Sequence, residues 1–462
     1  MKPIRRSARA ALLFLPLMMT GAATHAEGGN SNANAREYVR FSGFGTLGAV
    51  HTGGDGAAFI RDITQPQGAD NRGPSWKTDT RFGVQANFKA TENVEAVAQI
   101  VSRYRWDNDF RPELTWGFIK YAPSDMLEVR AGRVSYDVYL AGDSRDAGFT
   151  YLWVRPPTEY YGTWSLLLPY QDGGDVTFRA PLGRGVARLK LHTGIARQYV
   201  SIQQGQRHWA GDLTLGPVGA IQNLSGSRMT GGFIDYQDTH WIVRYSHSNL
   251  RFARELPAAN MYDIFGLMRG AATASAQQGD LAAANGLDTL IADASMLNKL
   301  LSFQSLAFAY EDGPLQTQMA LSHMRSGTLV VPGSNAGYLS AGYRLGKLTP
   351  YATISAIRSK ASNRADNLSP TTPAYAVSVA RYMLLTGLET QHTYTLGLRY
   401  NLNSQTDLKF QWDSVRSNNC SPASPAVIGT APPCAPPLLW PTVPVPWNGR
   451  ANVLSATLDF IF

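Results

Sequence analysis

Basic side chains recur at alternate positions of several segments of this chain, with apolar side chains between them. In 81–89, Arg81 and Lys89 share one face with polar residues, while Phe82 and Phe88 lie on the other. A charged face of this kind can attract ions or polar solutes through water without any bond being made or broken. The pattern therefore indicates electrostatic selection rather than catalysis.

The alternation assigns more basic than acidic side chains to this polar face. The basic ones are Arg40, Arg81, Lys89, Arg103, Arg105, Arg130, Arg179, Arg188, Lys190, Arg244, Arg344, Arg399 and Lys409. The acidic ones are Glu95, Glu113, Glu128, Asp407, Asp413 and Asp459. The candidates for a functional basic wall are Arg81, Arg103, Arg105, Arg130, Arg188 and Lys190. The alternative, in which none of these charged residues is individually important for function, stays open.

A long segment at 135–172 combines acidic and aromatic residues. Its acids are Asp137, Asp143, Asp146, Glu159 and Asp172. Exposing so many Trp, Tyr and Leu side chains to water would be unfavourable, so we expect most of this segment to pack against other parts of the chain. A surface loop or a contact between subunits remains the alternative.

Enzymatic and metal chemistry find little support in the sequence. The eight His residues are scattered, and no G-x-S-x-G nucleophile motif is present. Cys420 and Cys434 match no zinc spacing, although in an oxidising compartment they could close a disulfide; two free thiols are the alternative. We therefore predict neither an enzyme nor a protein with a metal or cofactor.

Composition indicates a protein that exposes apolar surface to something other than water. Of 462 residues only 16% are charged, against about 25% in soluble globular chains. Aromatic residues make up 11% and Gly numbers 43, yet the mean hydropathy is −0.19. An apolar exterior around a polar interior reconciles these values.

The N-terminus has the features of an export signal. A basic start and a short apolar core precede small residues around Ala26, so 1–26 are predicted to be a signal peptide and 27–37 a short flexible segment. An uncleaved anchor is the alternative. Removing 1–26 takes away four basic and no acidic residues, so the net charge falls from +8 to +4. The remaining sequence has no pattern of basic residues typical of nucleic-acid binding. No later run of 18 apolar residues could form a transmembrane helix.

Segments of about ten alternating residues, separated by turns, extend from 38 to 462. Short turns at sequences such as KATEN, PLGRG and NLNSQ alternate strictly with longer connections. This order is typical of outer-membrane barrels, with tight periplasmic turns and long external loops. Seven turns and eight loops predict an all-β, antiparallel barrel of sixteen strands with both termini in the periplasm.

The last residues, LSATLDFIF, form an alternating strand without a tail. In a closed barrel this strand must pair with the first one, since an unpaired edge cannot remain in lipid. Phe462 would then lie in a periplasmic aromatic girdle. Other predicted members of the girdle are Tyr38, Tyr121, Tyr236, Trp241, Tyr343, Tyr351 and Tyr400.

The signal peptide, the FSGFGTLG first strand, the alternation of loops and turns, and the terminal LDFIF together resemble the Gram-negative general porins. The resemblance implies a homotrimer in the outer membrane, contacting its lipid. It also implies that 135–172 fold into the barrel as a pore-constricting loop, and that Phe462 resembles the tag read by the outer-membrane assembly machinery.

An Ala-rich external loop at 251–299 departs from the family pattern. Its composition predicts helices, which we expect Gly279 and Gly286 to break into two short ones. Covering the pore mouth, contacting a neighbouring subunit and binding a solute remain open as its roles.

The function implied by this resemblance is passive diffusion of small hydrophilic solutes and ions. A channel specific for one small solute is the alternative. A TonB-type transporter would need a plug domain of well over a hundred residues before the barrel, and only 27–37 precede the first strand.

Overall fold

The computed structural model describes residues 38–53, 57–162, 168–202, 208–209, 213–214, 220–255, 258–385, 388–417, 440 and 448–462. The predicted signal peptide, the segment 27–37 and both cysteines, Cys420 and Cys434, lie outside these residues.

Sixteen antiparallel strands form one closed barrel, as the sequence predicts. Each strand pairs with its neighbours in chain order. The first eight are β1 Val39–Gly53, β2 Arg81–Lys89, β3 Val94–Arg103, β4 Glu113–Ser124, β5 Leu127–Ser135, β6 Tyr170–Leu182, β7 Gly185–Ile195 and β8 Arg228–Gln237. The others are β9 Trp241–Arg251, β10 Leu300–Asp312, β11 Leu315–Ser326, β12 Ser334–Tyr343, β13 Leu348–Ser359, β14 Thr390–Asn401, β15 Thr406–Ser417 and β16 Arg450–Ile461.

The last strand closes the barrel by pairing with the first. Leu458 on β16 lies opposite Leu47 on β1, and Phe462 exchanges two backbone hydrogen bonds with Gly43, with N···O distances of 2.9 and 3.0 Å. The Phe462 ring lies over Gly43, where any side chain would overlap it. A side chain at this position would displace the ring, and the chain end is a paired part of the sheet.

Inward and outward side chains alternate as expected. On β2, Phe82, Val84 and Phe88 are exposed on the outside, whereas Arg81 is buried inside. One girdle residue was wrongly predicted. Tyr351 faces the interior, where its ring covers Gly397, because it shares the face of Thr349 and Thr353 on β13.

The two ends of the barrel differ in their connections. Turns of two to four residues join strands at one end, called here the short-turn end. The connections at the other end, the loop end, are longer, and the third runs from 136 to 169. In the fourth, the short strand Tyr199–Ile202 pairs with Ala220–Asn223, and His208–Trp209 pairs with Leu213–Thr214.

The helices lie in the long connections. They are α1 Thr158–Tyr161, α2 Ala258–Gln277, α3 Leu281–Ala294 and α4 Ala374–Leu385. Helices α2 and α3 form the predicted helical part of the fifth connection. Gly279, with a φ of +79°, separates them, but Gly286 lies within α3 and breaks nothing. The prediction of a break at Gly286 was wrong, because one glycine inside a packed helix costs only about 1 kcal/mol.

Helices α2, α3 and α4 pack into a small bundle with an apolar core of its own, called here the helical cap. Met268 of α2, Leu287 and Ile291 of α3, and Val379 and Met383 of α4 are buried together. Among the described residues, no helix is long and apolar enough to cross a membrane.

Candidate functional site

The third connection enters the barrel interior and is called here loop 3 (136–169, described except for 163–167). Its aromatic residues are buried, as the sequence predicts from the cost of exposing them. Tyr139, Trp153, Tyr160 and Tyr161 are all less than 5% exposed. They pack against one another and against inward aromatic side chains of the barrel wall, among them Phe303 and Tyr338.

The first part of loop 3 is attached to β7 and β9. Asp137 forms an ion pair with Lys190, at 2.5 Å between Oδ2 and Nζ. Arg244 donates hydrogen bonds to the carbonyl oxygens of Asp137 and Tyr139 at 3.3 and 3.2 Å. Both the side chain and the backbone of this part of the loop therefore meet a basic wall.

Asp146 attaches the next part of the loop to β2 and β3. Its carboxylate lies 3.1 Å from Arg103 Nη1, and its carbonyl accepts a 2.6 Å hydrogen bond from Arg81 Nε. Burial raises the pKa of this loop carboxyl, but the guanidinium groups of Arg103, Arg61 and Arg81 outweigh burial and hold the pKa below its usual value. Asp146 is therefore ionised at neutral pH.

The tip of loop 3 lies close to the short-turn end. Lys409, on β15, donates hydrogen bonds to the carbonyl oxygens of Gly148 and Tyr151 at 2.6 and 2.8 Å. A side chain at Gly148 would overlap the carboxylate of Asp459 on β16. Lys409 and Asp459 form an ion pair at 3.2 Å, and both are fully buried beneath the tip.

Arg155 links the far side of loop 3 to the opposite wall. It forms ion pairs with Asp79, at 2.6 Å, and with Asp413 on β15, at 3.1 Å. Its guanidinium also donates a 2.5 Å hydrogen bond to Ser455 on β16. The side chain is 2% exposed, so these charges are buried and mutually compensated.

Glu159 differs in its environment from Asp137 and Asp146, which contact basic side chains. Its carboxylate accepts hydrogen bonds from Ser355, at 2.6 Å, from Gln391, at 2.7 Å, and from Thr393. Within the described part of the chain it forms no ion pair. The partners of this buried carboxyl group are therefore neutral hydrogen-bond donors from β13 and β14.

An aromatic cluster fills the space between loop 3 and strands β10 and β12. Tyr139, Tyr160 and Tyr161 of the loop pack edge-on or tilted against one another and against Tyr338, with ring centroids 4.8–5.9 Å apart. The Tyr160 hydroxyl bonds to Ser305, and those of Tyr161 and Tyr338 lie 3.2 Å apart. The cluster explains why loop 3 needs so many aromatic residues.

Loop 3 also meets β12 and β13 through Trp153. Its indole N–H donates to the hydroxyls of Ser340 and Thr353 at 2.8 and 3.1 Å. Loop 3 therefore bonds to both sides of the barrel.

Four of the predicted site residues pair with residues outside loop 3. Arg130 pairs with Asp175 at 2.7 Å, and Arg188 pairs with Asp235 at 2.8 Å. Arg105 lies beyond β3 and pairs with Glu113 at 3.1 Å. The fourth is Asp172.

One acid, Asp172, differs in position from the sequence expectation. Asp172 lies in β6, not in the loop, and pairs with Arg133 at 2.7 Å. Asp143 is within loop 3 and accepts a hydrogen bond from Ser135 rather than from a basic side chain.

Sequence reasoning missed several interior acids, among them Asp79, Asp175 and Asp235. Asp175 and Asp235 share the inward face with Arg179 and Phe233, so the alternation contained the signal for both. Asp79 lies in the first long connection, where no alternation exists to place it. The interior is consequently more nearly neutral than the predicted basic wall.

Two inward cations of β1 and β2 form no ion pair within the described residues, although both lie near Glu95. Arg40 and Lys89 lie on β1 and β2 near the short-turn end, are exposed, and form no ion pair there. No group of three or more His, Cys, Asp or Glu among the described residues could hold a metal ion.

Comparison with solved structures identifies the fold. Salmonella typhi OmpF, solved in complex with daunomycin, matches with a TM-score of 0.50 and 10% identity over 92% of this chain and 97% of that one. An anion-selective porin from Comamonas acidovorans matches with a TM-score of 0.49 and 11% identity, over 92% and 99% of the two chains. The trimer form of Vibrio cholerae OmpT matches at 0.47 and 9%, over 92% and 99%.

Sequence comparison adds nothing to this likeness. No protein-family model matches the chain, and no curated protein matches it significantly. The resemblance to the porins is thus confirmed in the fold, through OmpF and through the sixteen-stranded closed barrel itself.

Proposed function

We propose that this protein is an outer-membrane channel through which small hydrophilic solutes and ions diffuse passively. The observation that carries the proposal is loop 3, folded inside a barrel whose outer face is apolar and whose inner face is charged. An apolar outer band and a polar lumen are what a water-filled barrel needs in a bilayer. The export signal and Phe462, as an assembly signal for the outer-membrane machinery, support the same location.

The pore constriction is assigned to loop 3 and the wall that it touches. Asp137, Asp146 and Glu159 are its acids closest to the wall, and Arg81, Arg103 and Lys190 are the opposing bases. Asp137 and Asp146 are in direct contact with these bases, so the pairs fix where loop 3 narrows the lumen. No covalent step is involved, so we propose no enzymatic activity.

A homotrimer is part of this proposal. Strands β2–β6 present small side chains on the outside, among them Ala86, Ala96, Ala98, Ala131 and Gly174. Small outward residues allow close approach of another barrel. Cross-linking of intact outer membranes, followed by electrophoresis without boiling, should give a species of three chains.

The second candidate is a channel specific for one small solute. The dense attachment of loop 3 favours it, because Arg155 and Trp153 hold the loop against the opposite wall. Conductance measured with increasing amounts of candidate solutes separates the two functions. Saturable block by one solute supports the specific channel, whereas the diffusion channel shows no saturation.

A further inference from the structure

Amide and hydroxyl side chains on the inner faces of β2, β3 and β4 form a continuous row of hydrogen bonds. Thr115 Oγ1 donates to Gln99 Oε1 at 2.8 Å, and Gln99 Nε2 donates to Gln85 Oε1 at 3.0 Å. Gln85 Nε2 donates to Asn87 Oδ1 at 2.7 Å, and Asn87 Nδ2 donates to Glu95 Oε1 at 2.6 Å. We call these five residues the amide row.

The amide row is partly open to the lumen, whereas loop 3 covers the inner faces of β13–β16. Gln85, Asn87 and Glu95 are each half-buried. By contrast, Thr353 and Ser455 are hydrogen-bonded to loop 3 and are 3% and 6% exposed. The described part of loop 3 therefore leaves water access along the amide row.

Loop 3 and the amide row face each other across a cleft. Gln85, Gln99 and Thr115 line one side, and Asp143 and Ser144 of loop 3 line the other. A side-chain amide has two N–H donors and two acceptor positions on its oxygen. Gln85 and Gln99 each use one donor and one acceptor position within the row, so one of each kind remains on both.

These remaining positions match the chemistry of a hydroxyl group. A hydroxyl both donates and accepts a hydrogen bond, whereas a carboxylate only accepts and an ammonium group only donates. A solute hydroxyl in the cleft can thus replace water at Gln85 and Gln99 without losing hydrogen bonds. Since the row holds both amides in place beforehand, little freedom is lost on contact.

We propose that the amide row selects neutral, hydroxyl-rich solutes of the polyol class as they pass loop 3, with Gln85 and Gln99 as specificity-determining residues. This rests on the proposed function, because it names the class of solute that the same passage favours. It is separate from selection among ions, for which the exposed cations Arg40 and Lys89 lie nearer the short-turn end.

The test compares the efflux of labelled erythritol and glycine betaine from vesicles that contain the purified full-length protein. The two solutes have similar mass and no net charge, but only erythritol has hydroxyl groups. We expect erythritol to leave wild-type vesicles about fivefold faster than glycine betaine, the factor that one net hydrogen bond contributes. In Q85M/Q99M, which keeps the side-chain length and removes both amides, the two rates should become nearly equal.

The matched control is Q316M/Q318M. It removes two inward amides from β11, on the opposite side of the barrel, where Gln318 lies opposite Ser340 of β12. This variant should keep the wild-type ratio of the two rates. An equal fall of the ratio in both variants would show a general effect of apolar substitution in the lumen, and an unchanged ratio in Q85M/Q99M would show no selection by the row; either result overturns the proposal.

Single-channel conductance in potassium chloride separates this proposal from the proposed function. Q85M/Q99M should conduct ions about as well as the wild type, because no charge is changed. Normal conductance with an unchanged ratio of rates contradicts the role of the amide row alone, whereas folded wild-type protein without conductance or efflux contradicts the proposed function as well.

The single variant Q85M carries the same test with a smaller change of structure. Heat-modifiable migration on electrophoresis verifies that each variant barrel has folded. Folded Q85M should lower the ratio in the same direction as the double variant, and an unchanged ratio would remove Gln85 from the specificity-determining residues.

Discussion

Arg155 shows how single residues position loop 3. It is buried between Asp79 and Asp413, so removing it leaves two carboxylates without their cation. Removing one partner of a buried ion pair typically costs about 3–5 kcal/mol. The barrel itself is held by strand pairing, so the expected consequence is release of the loop rather than unfolding of the barrel.

Replacing Arg155 by Ala should therefore raise the single-channel conductance and make it noisier. Arg72→Ala is the matched control, because Arg72 is 87% exposed and pairs with Asp70 at the surface, where an ion pair contributes little. A conductance of R155A equal to that of R72A and the wild type would mean that this arginine does not hold the constriction.

Arg40 and Lys89 are the residues expected to set ion selectivity. Most interior charges are paired and cancel at short range, and salt screens the rest over about 8 Å at physiological ionic strength. We predict a weak anion preference at low salt that fades as salt rises. In R40Q/K89Q the reversal potential in a salt gradient should shift toward cations.

The outward-facing double variant R228Q/R251Q removes the same charge and should keep the wild-type reversal potential. Clear cation selectivity of the wild type would contradict the assignment of Arg40 and Lys89 to the conducting path.

Phe462 contributes to closure through its ring over Gly43 and its two backbone hydrogen bonds. Deleting Phe462, or replacing it by Asp, should lower the amount of folded barrel in outer membranes several-fold, while each assembled channel conducts normally. Phe462→Tyr keeps the ring and should assemble like the wild type. Normal levels of the Asp variant would show that the terminal ring is no assembly signal.

The sequence predicts well on which side of the sheet a residue lies, but it predicts poorly which other residue it pairs with. Alternation places Arg103 and Lys190 inside, because a strand has a period of two. It cannot tell that Lys190 meets Asp137 of the loop, whereas Arg130 meets Asp175 of the neighbouring strand. Those partners depend on strand register and on the path of an irregular loop, neither of which has a periodic signal.

At the scale of elements, the strands and their connections follow from the sequence, and the path of loop 3 does not. Turn residues mark every short turn, and β5 ends where the alternation does. The tip at Gly148, beneath which Lys409 and Asp459 are paired, became visible only in three dimensions. One glycine among 43 gives no indication that a wall carboxylate lies beside it.

The helical cap should be separable from the barrel. Its core is formed by α2, α3 and α4 themselves, while the strands on either side, β9 and β10, pair along their full length. Replacing 256–297 by a short Gly-Ser linker removes α2 and α3, while α4 stays in its own connection, and should leave a heat-modifiable barrel with wild-type lumenal selectivity. Loss of the folded barrel in this variant would show that α2 and α3 are part of its structural core.

At the scale of the whole molecule, the protein is a barrel with an apolar exterior and a charged interior, in which loop 3 is held to both walls. Low charge with a negative mean hydropathy already indicates this inversion of a soluble protein. Closure by β16 onto β1 leaves no open edge in lipid, so the barrel needs no partner to be complete as a sheet.

Single-channel recording of the purified full-length protein in a planar bilayer tests the central claim most directly. A water-filled barrel narrowed by loop 3 predicts discrete conductance steps that scale with the conductivity of the bathing salt, and larger steps for R155A. Folded, heat-modifiable protein that inserts into the bilayer yet gives no conductance steps, in the wild type and in R155A alike, would contradict it.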